Sequence, residues 1–392
     1  MNRTRSNSSP KANPALGATP TGGKITRRAF LQGSAALVAA SAVNIPVLAR
    51  GEPKPFEARY YERLPDGRVH CVLCPTNCRP GDKERGNCGV RENRKGTYYA
   101  LDYGRPCALH LDPIEKKPFF HVLPGTDAVS LATVGCNLHC KFCQNWQISQ
   151  ASPEEVQTQY TAPGEIVDRA ISAKAPSIAY TYSEPTVFIE YMEDIARLGR
   201  AKGLKNVVVS NGYIQKAPLA DLCGLVDAIK IDLKAFHDEY YGNVCGGKLQ
   251  PVLDTITSIH ASKAWLEIVY LVVPTLNDNI DRVRAMARWI FTTLGPDVPL
   301  HFSRFFPQYL LANLPPTPLS TLDEAYRACR EAGLHYVYVG NVPGHEGENT
   351  YCPKCKNRIV ARSGYRLEKL DVIKGKCRFC GNAIPGIWQE AS

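Results

Sequence analysis

No stretch of about twenty uninterrupted apolar residues, the length a membrane-spanning helix needs, occurs in these 392 residues. The nearest approach, TRRAFLQGSAALVAASAVNIPVLARG (26–51), is interrupted by Gln32, Gly33, Ser34, Ser41, Asn44 and Pro46. Acidic residues are missing from the first 50 positions, which carry Arg3, Arg5, Lys11, Lys24, Arg27, Arg28 and Arg50. The formal net charge of +10 therefore sits largely there, and the rest of the chain holds 40 basic against 37 acidic residues. A nearly neutral body gives little electrostatic reason to expect a nucleic-acid partner. With 44% hydrophobic and 21% charged residues, the composition is that of an ordinary globular protein. The length allows one large domain with small satellites.

Residues 1–25, rich in Ser, Asn, Pro, Gly and Thr without apolar periodicity, are expected to be disordered. Arg27-Arg28-x-Phe30-Leu31, a moderately apolar stretch and then Val47-Leu48-Ala49 form the layout of a secretory leader of the twin-arginine type. That reading assigns 1–50 to a tail plus signal peptide and predicts export to the periplasm or cell envelope after cytoplasmic folding. It leaves no transmembrane segment in the mature chain. The alternatives are a leader kept as a membrane tether and a chain that stays in the cytoplasm.

Residues 55–125 form a cysteine-bearing region with many Gly and Pro punctuators. From 126 to 345 short β-branched or apolar runs alternate with helix-period segments. The runs are AVSLATV (128–134), SIAYTY (177–182), NVVVS (206–210), DAIKIDL (227–233), LEIVYLVV (266–273), PLHFSRF (299–305) and HYVYVG (335–340). Between them, Val187, Phe188, Tyr191, Met192, Ile195 and Leu198 make one stripe of a helix over 185–202, with Pro185 suited to its start and Gly203 to its end. A second helix is predicted over 280–290. Repeated strand–helix units mean right-handed crossovers and a parallel sheet. The predicted fold is α/β, a partial or complete TIM-like (β/α) barrel whose chemistry sits on the loops after the strands. Residues 346–392 read as a small C-terminal module.

Eleven of the fifteen cysteines fall into three groups of short spacing, and C-x2-C pairs favour metals over disulfides. Cys136-x3-Cys140-x2-Cys143 lies in GCNLHCKFCQNW, directly after the first predicted strand. Three thiolates on a four-iron cubane leave one iron without a protein ligand, where four-cysteine clusters leave none. An open iron can chelate the amino and carboxylate groups of S-adenosylmethionine (SAM), and the cofactor then carries the difficult chemistry. Cys352, Cys355, Cys377 and Cys380 have the spacing of a zinc ribbon, with a rubredoxin-like iron as the alternative. Cys71, Cys74, Cys78 and Cys88 supply four more thiolates for a closed zinc site or an auxiliary iron–sulfur cluster, with turns at Gly81, Gly86 and Gly89. The isolated Cys107, Cys223, Cys245 and Cys329 read as ordinary buried cysteines.

The cysteine triplet, with Phe142 before its last member, resembles the radical SAM superfamily. The order of CVLCPTNCRPGDKERGNCGVREN (71–93), YGRPCALHLDPIEKKPFFHVLPG (103–125), GCNLHCKFCQNWQIS (135–149), YTYSEPTVF (180–188), GNVPGHEGENTYCPKC (340–355) and CRFCGNAIPGIW (377–388) narrows the likeness. Together these stretches resemble the radical SAM component of the AmmeMemoRadiSam system, related to the pyruvate formate-lyase activating enzymes. The resemblance implies a [4Fe–4S] cluster on Cys136, Cys140 and Cys143 that cleaves SAM to a 5′-deoxyadenosyl radical. It also implies SAM contacts: Phe142 beside the cluster, Glu184 for the ammonium, Ser210 and Asn211 near the ribose, and Asp232 with Lys234 near ribose and carboxylate. The chain has Tyr182-Ser183 where the superfamily usually has Gly-Gly before the acid. For Glu184 a helix N-terminal carboxylate, and for Asp232/Lys234 a barrel-interior ion pair, are the plain alternatives. His301, Arg304 and Asn341 are further candidates for facing a substrate.

The implied function is hydrogen abstraction from a substrate, a partner protein by analogy with the activating enzymes. A one-electron reductant of the flavodoxin or ferredoxin type would supply the electron. Radical modification of a small molecule or of RNA is the alternative, and a non-catalytic metal-binding scaffold is a third reading. The triplet argues against the scaffold, which has no use for an open iron.

Overall fold

The computed structural model describes residues 55–389, and the expected tail and twin-arginine leader lie outside them. These residues build an eight-stranded sheet. Its strands are β1 (Ala108–Pro113), β2 (Asp127–Ala132), β3 (Ser177–Tyr180), β4 (Lys205–Ser210), β5 (Ala228–Asp232), β6 (Trp265–Val272), β7 (Leu300–Arg304) and β8 (Val337–Gly340). They lie in sequential order, parallel from β2 to β8, with β1 antiparallel to β2. Six helices cover the crossovers: α1 (Pro163–Ser172), α2 (Ile189–Ala201), α3 (Lys216–Leu225), α4 (Leu249–His260), α5 (Ile280–Leu294) and α6 (Leu319–Glu331). All seven expected strands are present. The eighth, β1, was not expected, because ALHLDP is short, partly exposed and ends on Pro113, as an edge strand does.

Of the two closures predicted, the partial barrel is the one formed. No pairing joins β8 to β1 among the described residues, so the sheet curls without closing. The helix expected over 185–202 starts as a tight turn, Pro185–Phe188, before α2. Glu184 caps that turn by accepting from the Thr186 backbone N–H at 3.0 Å. In α5 the Asn279 side chain accepts from the N–H groups of Asp281 and Arg282, each at 3.1 Å.

Two peripheral regions clamp the sheet. Before β1, short antiparallel ribbons pack onto α2 through Arg91, fully buried, which donates to Glu190 at 3.0 Å and to the Val187 carbonyl. After β8, the strands Thr350–Tyr351, Arg358–Ser363 and Arg366–Leu370 form a small sheet. Its core residues Ile359, Val360, Val372 and Ile384 pack with Phe120, Tyr336 and Tyr338 of the main body. The chain ends stitched to the β1–β2 connection: Leu123 N–H donates to the Ile387 carbonyl and Ile387 N–H to that of His121, both at 2.7 Å. No helix among the described residues is long and apolar enough to cross a membrane.

Candidate functional site

The loop after β2 begins at Gly135, whose φ of +94° is a conformation that favours glycine. It carries Cys136, Cys140 and Cys143 round one wall of a cavity of about 650 Å³ at the carboxyl ends of the strands. All three thiols are free. Cys136 Sγ accepts from Leu138 N–H at 3.4 Å and from Asn211 Nδ2 at 3.7 Å, and Cys143 Sγ lies 3.1 Å from Ser149 Oγ. Among the described residues, the triplet is not a group whose ligand atoms all lie within 4.8 Å of one another. Three free thiols on one cavity wall, not all within the spacing a single ion needs, fit a multi-iron cluster.

The other predicted contacts line the same cavity: Phe142, Glu184, Ser210, Asn211, Asp232 and Lys234. Several are more heavily committed than the sequence suggested. The Glu184 carboxylate accepts from Thr186 N–H, from Ser210 Oγ at 2.7 Å and from Asn211 N–H at 2.8 Å. With about four lone-pair positions, it keeps roughly one for an incoming ammonium. Burial pushes its pKa up against the pull of these donors. Asn211, expected near the ribose, commits its amide to donating to Asn137 Oδ1 at 2.9 Å and to Cys136, and to accepting from Tyr213 N–H at 2.8 Å, tying β4 to the cysteine loop. The ribose contact expected of Ser210 meets the same limit, since its hydroxyl donates to Glu184 and accepts from Gly212 N–H.

Asp232 and Lys234 do form the ion pair that was the plain alternative, at 2.8 Å, and the pair faces the cavity. Burial works to raise Asp232, but Lys234 and Lys230 outweigh it and hold the carboxyl low. Lys234 Nζ also lies 5.7 Å from the centre of the Phe142 ring. His301 and Asn341 line the cavity, as expected. Arg304 does not: its guanidinium donates to the Thr317 carbonyl at 2.9 Å, outside the lining.

Sequence reasoning missed two residues. Cys245, set aside as an ordinary buried cysteine, has its thiol in hydrogen-bond reach of Cys140 and draws the Cys140 pKa down. Its carbonyl accepts from His139 N–H at 2.8 Å, and that of Val244 from Lys141 N–H at 3.0 Å, so this turn backs the cysteine loop. Lys230 sits two residues before Asp232 on β5 and shares its face. The signal was legible: a lysine inside a buried parallel strand is unusual.

The C-terminal thiols of Cys352, Cys355, Cys377 and Cys380 all lie within 4.8 Å of one another. Cys352 is 3.6 Å from Cys380, and Cys355 is 3.7 Å from Cys377. Tetrahedral zinc with bonds of about 2.3 Å sets its thiolates roughly 3.8 Å apart, so the four fit one ion. Cys71, Cys74, Cys78 and Cys88, expected to hold zinc or an auxiliary iron–sulfur cluster, are free thiols, and among the described residues the C-terminal set is the one group whose ligand atoms all lie within 4.8 Å of one another. Cys78 Sγ accepts from Asn87 N–H at 3.3 Å, one residue before Cys88. That same segment braces the cysteine loop, with Asn87 Nδ2 donating to the Asn137 carbonyl at 3.3 Å.

Below the cavity, Glu267 accepts from His301 Nε2 at 2.6 Å, from the N–H groups of Phe120 and His121, and from Trp265 Nε1. His121 lies 2.7 Å from the Pro385 carbonyl through Nδ1 and 2.6 Å from Tyr338 Oη through Nε2. A neutral ring donating to the carbonyl and accepting from the phenol satisfies both contacts.

The profile of the Radical SAM superfamily matches residues 130–290. An uncharacterized protein of Methanocaldococcus jannaschii is 47% identical over 330 residues, 84% of this chain and 98% of that protein. The pyruvate formate-lyase 1-activating enzyme of Escherichia coli is 22% identical over 159 residues, covering 40% of this chain and 65% of that enzyme. A solved domain of the pyruvate-formate lyase-activating enzyme from Bacteroides vulgatus aligns with a TM-score of 0.38 at 13% identity, over 42% of this chain and 98% of that domain.

Proposed function

This chain belongs to the radical SAM superfamily, and on that premise we propose that it cleaves SAM reductively and abstracts hydrogen from a substrate held in the cavity after β2. Membership implies a [4Fe–4S] cluster and SAM. When bound, the cluster supplies the electron that splits a carbon–sulfur bond of SAM and gives a 5′-deoxyadenosyl radical. The single observation that supports the reading most is that Cys136, Cys140, Cys143, Glu184 and the Asp232–Lys234 pair all line one cavity.

In this proposal the three cysteines hold the cluster, and Asn211 and Leu138 hold Cys136 in place by donating to its sulfur. Glu184 offers its remaining lone pair to the SAM ammonium, while Asp232 and Lys234 take the polar groups of its ribose and carboxylate. Phe142 fills the apolar space beside Lys234. The likeness to activating enzymes supports a partner protein as the substrate and a flavodoxin- or ferredoxin-type reductant, and the six quoted motifs support a place in the AmmeMemoRadiSam system. A small-molecule substrate is the second reading. It is favoured by a cavity that runs on from the cysteines to His301 and Asn341, leaving room beside SAM. The C-terminal cysteines take zinc, and the leader directs export of the folded protein.

The test is anaerobic reconstitution with iron and sulfide, then SAM and dithionite. A reduced-cluster EPR signal that changes on adding SAM, with release of 5′-deoxyadenosine and methionine, is the expected result. Full SAM cleavage by Cys143→Ala would overturn the assignment.

A further inference from the structure

Four lysines line the cavity: Lys116, Lys117, Lys230 and Lys234. Lys116 and Lys117 pair with Asp112 at 2.8 and 2.6 Å, and Lys234 pairs with Asp232. Lys230 makes no hydrogen bond or ion pair among the described residues, although the residue is only 2% exposed and meets the cavity. Its register partners are Val209 on β4 and Glu267 on β6. Neither nearby carboxylate reaches out to it, because Glu267 already accepts from four donors and Asp232 is taken by Lys234. A buried ammonium without a partner is costly unless a ligand supplies one.

We propose that Lys230 anchors the carboxylate of the substrate in this cavity, which places the substrate among carboxylate-bearing molecules rather than neutral ones. The inference rests on the radical SAM reading above and adds the substrate class to it. A carboxylate matches the single charge of one lysine. A phosphate would bring a second charge towards Asp232 and Glu267. Val209, Val269, Leu271 and Phe302 are the apolar residues among the cavity's lining nearest in the sheet to β5, beside polar ones such as His301 and Ser303. Carboxylate chemistry has two sources here, a free small acid and an acidic group on a polypeptide.

Burial depresses Lys230 to about 7, against the opposing pull of Asp232 and Glu267. The cations facing it, Lys234 on its own strand and Lys117 on the β1–β2 connection, push the same way as burial, and His301 on β7 stands near. At pH 8 the free amine is therefore mostly neutral, and pairing with a carboxylate must draw in a proton.

The experiment is calorimetric titration of the SAM-bound holoprotein in buffers of different ionisation enthalpy. Three probes are compared: malonate, the neutral malonamide, and the peptide N-acetyl-Ala-Asp-Ala amide. The expected result is that malonate or the peptide binds with proton uptake that is larger at pH 8 than at pH 6, while malonamide does not bind. Whichever of the two binds identifies the source. Lys230→Met should weaken that binding at least ~10-fold and abolish the uptake, and the wild-type proton count stands even if the variant folds poorly. Binding that Lys230→Met leaves unweakened, equal binding of malonamide, or no binding by either carboxylate would overturn the proposal. Loss of the cluster signal would instead sink the radical reading, which is read separately by EPR before the titration.

Discussion

Gly135 stands directly against the backbone of Cys88: a Cβ on Gly135 would lie 2.8 Å from the Cys88 carbonyl oxygen and 2.5 Å from Val90 Cγ1. The loop that bears Cys136, Cys140 and Cys143 therefore leans on the N-terminal cysteine region through a contact that only glycine permits. Substituting Gly135→Ala adds both the collision and the cost of a positive φ. The expected loss is about 2–4 kcal/mol of stability together with reduced iron content after reconstitution. Thermal denaturation and iron analysis read both, and an unchanged melting temperature would contradict the contact.

Glu184→Ala and Asp232→Ala should separate by their effect on folding. Both are expected to lower SAM affinity ~10- to 150-fold, the worth of one hydrogen bond to a charged group of ~1.5–3 kcal/mol. Glu184→Ala alone also strands Thr186 N–H, Asn211 N–H and the Ser210 hydroxyl, so it should additionally destabilise the fold. Titration with SAM alongside denaturation checks this, and unchanged SAM binding in both variants would refute the assigned roles.

Exchanging Cys377 and Cys380 together for Ser should release about one zinc per chain and leave the catalytic cluster assembled. Because the ribbon core includes Tyr336 and Tyr338 beside β8, the loss should also lower the melting temperature of the main body. Metal analysis with no change in zinc would end the ribbon assignment.

His121 makes stability depend on pH in a stated direction. Burial depresses it to about 4, against about 6.5 in the unfolded chain. Between those values the unfolded state binds the proton and the folded state does not, so stability falls as pH drops from ~6.5 to ~4. The span corresponds to roughly 3 kcal/mol. The difference between wild type and His121→Gln, followed by denaturant unfolding, should carry this slope. Parallel pH curves would show that the ring does not titrate as described.

Changing Arg27-Arg28 to Lys-Lys should abolish export if the leader works by the twin-arginine route. Cell fractionation decides: the same wholly cytoplasmic distribution for both chains would remove the export proposal and leave the chemistry untouched.

Much of this protein was legible in one dimension because the relevant physics is local. Seven strands followed from β-branched runs separated by helix-period segments, and the two metal-type spacings, Cys136-x3-Cys140-x2-Cys143 and the paired C-x2-C of the ribbon, lie within short stretches of chain. What lay beyond the sequence depends on contacts between distant segments. That β8 does not pair with β1 is a property of the whole sheet's curl, and no strand carries it. Whether four thiols converge is likewise tertiary: spacing suggested a metal site at the ribbon cysteines, and the fold brings them to 3.6–3.7 Å of one another. Cys245 looked isolated because its neighbour Cys140 is 105 positions away. Spacing alone could put Lys230, Asp232 and Lys234 on one face of β5. Only the fold, by pairing Asp232 with Lys234 and surrounding Glu267 with four donors, left Lys230 a buried lysine without an ion-pair partner among the described residues.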